Sequence, residues 1–152
     1  MGEQMQIGCQ MAFNDFTSPK YIAEAAQFVE QFGFAEFWVP EHVMFFPTYE
    51  SKYPYSEDGR IGGEPRSLLD PFSALTYVAA HTQSMRLGTG ICLVTQRNPI
   101  YTAKVAADLD FLSGGRVDLG VGIGWLKEEF QALGVPWKDR ACLLYTSPSP
   151  RD

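Results

Sequence analysis

The chain is poor in the residues that build covalent and metal-bound frameworks. It has only three cysteines and two histidines in 152 residues. Cys9, Cys92 and Cys142 form no C-x-x-C pair and no spacing suited to zinc, which argues against a disulfide scaffold or a zinc module and leaves reduced thiols. Cys9 and Cys92 lie in apolar runs and read as packing groups. No metal site is expected. Long hydrophobic runs are also missing: no window approaches the roughly 18 uninterrupted apolar residues of a membrane span. The start, MGEQMQIG, lacks the basic then apolar layout of a secretory signal. The expectation is a cytoplasmic protein with no membrane partner. Positive charge is scarce and scattered, with 12 Lys and Arg against 18 Asp and Glu and a net charge of -6. Nucleic-acid binders cluster Lys and Arg to neutralise phosphates, so no nucleic-acid partner is expected.

What is present is a regular alternation of strand and helix signals. Ile7 to Phe13 is a short apolar run. Ser18-Pro19 then starts a helix whose Ile22, Ala25, Ala26, Val29 and Phe32 recur at helical spacing, with Gly33 as its stop. Ala35 to Pro40 reads as a second strand. A roughly 27-residue excursion rich in Pro, Gly, Tyr and Phe follows, longer than a mere connector needs to be and suited to a lid or binding loop. Asp70-Pro71 caps a second helix with Phe72, Leu75, Val78 and Ala79 facing inward. MRLGTGICLVT, residues 85–95, is a third strand, and Asn98-Pro99 starts a third helix that Gly114-Gly115 closes. VDLGVGIG, residues 117–124, is a fourth strand, and KEEFQALG begins another helix.

Near-continuous apolar strands alternating with helices define an α/β protein with a parallel sheet. Two architectures share this pattern. One is an open doubly wound sheet of the Rossmann kind, which would make the chain an NAD(P)-dependent dehydrogenase. The other is a (β/α)8 TIM barrel, which typically takes about 250 residues, so that this chain would supply the first four strand-helix units as a half barrel. The glycines of RVDLGVGIGW do not complete the dinucleotide fingerprint G-x-G-x-x-G, because Trp125 stands at the third glycine position. In either architecture, function collects at the carboxyl ends of the strands, after Phe13, after Pro40, around Thr95 and after Gly124.

Several blocks taken together resemble one family. FWVPEHV, RLGTGICLVTQRNPIYTAKVAADLDFLSGGRVDLGVGIGW and KEEFQALGVPWKDR, in that order and spacing, are similar to the luciferase-like monooxygenase superfamily, and within it to the flavin- or coenzyme F420-dependent oxidoreductases. The likeness runs from about Ile7 to Ala141. It implies a TIM barrel whose C-terminal face holds coenzyme F420 or FMN, hydride transfer between that ring and a small-molecule substrate, and a homodimeric parent protein.

The resemblance assigns roles to particular positions. His42, at the end of the second strand in PEHV, matches the family's active-site histidine, and an imidazole can exchange the proton that accompanies hydride transfer. Glu41 beside it either holds a ring substituent or anchors the loop. Gly90-Ile91 stands where several relatives carry a non-proline cis peptide that supports the cofactor ring. Ile123, Gly124 and Trp125 stand where the fourth strand meets the cofactor. Trp125 replaces the catalytic glutamate of the sugar-phosphate dehydrogenases, which puts that activity in doubt and leaves Trp125 to wall the pocket or close the barrel end.

Other polar groups read more plainly. Glu128 and Glu129 are first-turn carboxylates favoured by the helix dipole, His81 is structural, and Asn98 is a helix cap within reach of the cofactor. The loop aromatics Phe45, Phe46, Tyr49, Tyr53 and Tyr55 either clothe a substrate or pack the loop. Residues 1–141 are expected to form the N-terminal half of the barrel. Residues 142–152, with their Ser-Pro repeat, read as a disordered and non-native tail. Three functions follow as expectations: a flavin- or F420-dependent oxidoreductase, truncated and inactive as this chain; a nicotinamide dehydrogenase; or a non-catalytic half-barrel fragment.

Overall fold

The computed structural model describes residues 5–62 and 67–145, with the side chains of residues 143–145 left aside. Four strands form one parallel sheet: β1 (Gly8–Gln10), β2 (Glu36–Val39), β3 (Arg86–Thr89) and β4 (Val117–Asp118). Their spatial order is β1-β2-β3-β4, the order in sequence. This settles the choice between the two architectures. A doubly wound sheet reverses direction beside its first strand, whereas a barrel adds each strand to the one before. Here β3 pairs with β4 and β1 with β2 only, so the Rossmann reading and its NAD(P)-dependent dehydrogenase are overturned, and the chain is half of a (β/α)8 barrel.

Three helices cross back over the sheet: α1 (Pro19–Gln31), α2 (Pro71–Ala79) and α3 (Pro99–Ser113). Each starts on the same device, a polar N-cap followed by proline at the first helical position. Ser18 accepts from the Tyr21 N–H at 3.1 Å, Asp70 from Ser73 at 3.0 Å, and Asn98 from Ile100 and Tyr101 at 3.0 and 3.2 Å. Gly114 ends α3 at φ +73°, a left-handed conformation that glycine adopts without Cβ strain. Two short helices follow, α4 (Lys127–Ala132) and α5 (Arg140–Tyr145). The domain boundary expected after Ala141 therefore falls inside α5, and residues 146–152 of the expected tail lie outside the described residues.

The core lies between the sheet and the helices. Phe37 and Val39 of β2 and Leu87 of β3 point outward from the barrel axis onto Ile22, Ala26 and Val29 of α1 and Phe72, Leu75 and Val78 of α2, all buried. Phe32 departs from the expected inward set: it lies just past the end of α1, is exposed, and stacks on Phe28 at 4.3 Å between ring centroids. Helix α3 leaves Ile100, Tyr101, Phe111 and Leu112 exposed. Its exposed side also carries Lys104, Asp108 and Asp110, while Thr102, Leu109 and Ser113 are buried and the helix packs on α2 and β4. The opposite face of the sheet, which looks into the barrel, is lined by Gly8, Gln10, Glu36, Trp38, Gly90 and Gly120. Glycine is required there at one place above all: a Cβ on Gly88 would come within 2.2 Å of the Trp38 ring.

Two strands are shorter than their apolar runs. β3 ends at Thr89, after which the Gly90–Ile91 peptide is cis and a 3-10 turn forms at Val94–Gln96. β4 keeps only two residues in the ladder, with a further bridge between Cys92 and Val121. Beyond these points the backbones leave the sheet to shape its C-terminal end. The buried Cys92 thiol is pushed up to about 12 by burial and by the nearby Glu41 carboxylate, which keeps it protonated and inert.

Candidate active site at the C-terminal end of the sheet

A cleft of about 680 Å³ opens where the four strands end. Gln10 follows β1, Glu41 and His42 follow β2, Gly90, Ile91 and Leu93 follow β3, and Gly122, Ile123, Gly124 and Trp125 follow β4. Tyr53, Pro54 and Tyr55 of the long loop complete the lining. Every residue assigned to the site from the sequence is thus brought to one place. The side chain of Ile91 lies across Gly122, where a Cβ would fall 1.8 Å from its Cδ1, so this wall is flat only because residue 122 is glycine. The Gly90 carbonyl accepts from Gln10 Nε2 at 2.7 Å, which fixes the cis peptide against the end of β1.

His42 is held from two sides. Its Nδ1 lies 3.2 Å from Glu129 Oε2, and its Nε2 lies 3.3 Å from the Trp125 indole nitrogen. The Phe45 ring packs against the imidazole at 4.4 Å. Glu129 is fully buried, and its other oxygen accepts the backbone N–H groups of Val43 at 2.6 Å and Met44 at 3.2 Å. Gln96 Nε2 donates to Oε2 at 3.1 Å. Burial opposes the charge on Glu129, but the hydrogen bonds from His42, Gln96 and Met44 outweigh it and hold the carboxyl below the usual carboxylate range.

Glu41 has the anchoring role of the two considered for it. Its Oε2 accepts the Leu93 N–H at 2.6 Å and its Oε1 accepts Arg97 Nε at 2.5 Å. Arg97 also pairs with Asp70, the cap of α2, and lies over the Phe72 ring at 5.1 Å. The carboxylate thereby ties the end of β2 to the 3-10 turn after β3. Asn98 is likewise committed as the cap of α3, and His81 bonds back to the Tyr77 carbonyl at 2.8 Å.

The loop aromatics differ in where they sit. Tyr49 is buried and packs edge-on to Trp125 at 5.6 Å, while Tyr53 meets Trp125 at 5.1 Å and Tyr55 at 5.5 Å on the cleft side. Glu128 pins this loop from α4, accepting from the Glu50 N–H at 2.6 Å and from the Ser51 hydroxyl at 2.6 Å. Desolvation works against its charge, but the bonds from Ser51 and the backbone prevail and lower it to about 2. Its carboxylate thus binds fewer protons folded than unfolded. Its stabilisation of the loop is complete above about pH 4.3, the ordinary glutamate value, and fades as the pH falls through about 2. Glu128→Gln is therefore expected to be cut by pepsin within the loop faster than the wild-type chain at about pH 4, the two rates converging towards about pH 2. Equal rates throughout would show that the loop does not depend on this carboxylate.

The sequence reading missed Glu129 and Gln96 as partners of His42. One signal was available: Leu126, Glu129, Phe130 and Leu133 share one face of α4, and a carboxylate on an apolar helix face needs a buried partner.

The profile of luciferase-like monooxygenases matches residues 4–144. The chain belongs to the luciferase-like monooxygenase family. An uncharacterized relative from Mycobacterium tuberculosis is 38% identical over 132 residues, which cover 85% of this chain and 47% of that protein. The chain therefore spans about half the length of the curated relatives it matches. Among solved luciferase-like structures, the monooxygenase RslO1 from Streptomyces bottropensis superposes with a TM-score of 0.68 at 26% identity, over 91% of this chain and 39% of that one. The coenzyme F420-dependent tetrahydromethanopterin reductase from Methanopyrus kandleri gives 0.61 at 27% identity, over 89% and 31%.

The cleft of this luciferase-like chain suits a flat ring on its own geometry. Ile91, Gly122, Ile123 and Gly124 make a wall with few projecting atoms, and its volume is in the range of small-molecule sites. Gln96, packed next to Gly124 but outside the lining, has its Oε1 buried with no hydrogen-bond partner among the described residues. Among the described residues no Lys or Arg lines the cleft. No helix among the described residues is long and apolar enough to cross a membrane.

Proposed function

We propose that the whole protein carrying this chain is an oxidoreductase that binds coenzyme F420 or FMN and acts on a small organic substrate. Because the chain spans about half of its relatives, the activity is assigned to the complete barrel and not to this half alone. The observation that carries the reading is an oriented histidine at the rim of a flat-walled cleft at the C-terminal end of a parallel barrel sheet. When bound, the ring supplies hydride transfer, which no side chain provides.

The chain's own residues supply position and the proton. Gly90, Ile91, Ile123 and Gly124 would hold the ring face, with Glu41 acting behind them by fixing Leu93 and Arg97. Trp125, Tyr53 and Tyr55 would cover the substrate side and exclude water. His42 Nε2 faces the cleft and takes the proton of a hydroxyl as it becomes a carbonyl, or returns it in the reverse direction. A second copy of the whole protein is the proposed partner, as a homodimer in a cytoplasmic setting.

Titration of the protein with FMN and with coenzyme F420, followed by fluorescence quenching, tests the reading. Micromolar binding of one of them is expected. Binding of neither would overturn it.

A further inference from the structure

We propose that Glu129 is a positioning residue that fixes His42 as the Nδ1–H tautomer, leaving the lone pair of Nε2 directed at Trp125 and the cleft. The inference rests on the role given to His42 above, and it follows from which neighbours can donate and which can only accept. Three other groups around the Glu129 carboxylate are fixed donors: the N–H of Val43, the N–H of Met44 and the amide nitrogen of Gln96. A carboxylate so surrounded is an acceptor. At 3.2 Å the fourth neighbour, Nδ1 of His42, must carry a hydrogen, because two facing lone pairs would repel.

The other side of the ring gives the same answer independently. An indole N–H can donate and cannot accept, so Nε2, 3.3 Å from the Trp125 nitrogen, must present its lone pair. An imidazolium would set two N–H groups against each other at that contact. The neutral Nδ1–H form is the one state that satisfies both ends at once. Glu129 also holds the backbone of Val43 and Met44, so the same carboxylate sets the ring's rotation and the path of the chain that carries it.

The functional consequence is directional. His42 rests as a base towards the cleft, and the Trp125 indole occupies its lone pair until a substrate hydroxyl displaces it. That hydroxyl then donates to Nε2, which takes the proton as the hydride on the same carbon would leave to the flavin or deazaflavin ring of the proposed function and the carbonyl forms. Glu129 stabilises the resulting imidazolium through Nδ1 without itself taking the proton.

Nitrogen NMR of the chain without any cofactor reads this directly, so its outcome is separate from that of the cofactor titration. The chain has two histidines. His81→Asn therefore leaves a single imidazole. At about pH 8, where an ordinary imidazole is neutral, His42 is expected to show a protonated Nδ1 and an unprotonated Nε2. Trp125→Phe should shift the Nε2 signal and leave the tautomer unchanged. Glu129→Gln should move the population towards Nε2–H. A predominant Nε2–H form in the His81→Asn chain would overturn the proposal even if Glu129→Gln did not fold. So would an unchanged tautomer in a folded Glu129→Gln variant.

Discussion

With cofactor bound, His42→Ala is expected to lower turnover by roughly 10²- to 10⁴-fold, the contribution typical of a positioned acid–base group. Cofactor affinity should change little, because the wall against the ring is built from Gly90, Ile91, Ile123 and Gly124 and not from the imidazole. Rapid mixing that follows the cofactor's absorbance separates the two effects. A rate constant that falls while the dissociation constant holds assigns the proton to His42, and added imidazole should restore part of the rate. An unchanged rate would assign the proton to solvent and leave the rest of the site reading intact.

The largest effect on stability is expected at a residue that touches no ligand. Arg97→Met removes the guanidinium from Glu41, whose side chain is 1% exposed. The Leu93 N–H and the Cys92 thiol are then left to that carboxylate, with no positive charge among the described residues beside it to replace the guanidinium. Breaking a buried pair from one side costs about 3–5 kcal/mol, because the remaining charge stays out of water. That is a large share of the roughly 5–15 kcal/mol that holds a typical domain folded. Urea unfolding would read it as a lower midpoint at nearly constant slope. Replacing both partners, Arg97→Met with Glu41→Gln, should recover much of the loss. A single-variant loss below about 1 kcal/mol, the scale of an exposed pair, would show that water reaches this carboxylate.

The parts of the fold that repeat were readable from the chain. Each of the three crossover helices begins on Ser, Asp or Asn followed by Pro, and apolar runs stand between them, so local chemistry alone marked the strand-helix units. The ends of the strands were less readable. The run from Met85 to Thr95 is mostly apolar after Arg86, yet its ladder stops at Thr89, because pairing depends on where the neighbouring backbone goes and not on hydropathy. The lining of the cleft was legible where a family likeness marked it, at His42 and at the segments 90–91 and 123–125. It was not legible where roles depend on contacts between distant segments. Glu129 and His42 lie 87 residues apart, and nothing in KEEF names its partner in PEHV. Glu41 and Arg97 lie 56 residues apart.

The long crossover between β2 and β3 has a meaning for how such a protein can change. Strand pairing joins Gly8 to Glu36, Glu36 to Arg86, and Leu87 to Val117, so the middle step spans 50 residues where its neighbours span about 30. Loop-closure entropy grows only with the logarithm of length, and each doubling adds about 0.6 kcal/mol. The excess that carries Tyr49, Tyr53 and Tyr55 therefore costs the barrel less than that. Its attachments, Glu128 to Ser51 and Tyr49 to Trp125, are made to the rim and leave the sheet untouched. Selection can thus rewrite the roof over the cleft, in length and in side chains, at little cost to the scaffold beneath it, while the strand ends that floor the cleft stay the same.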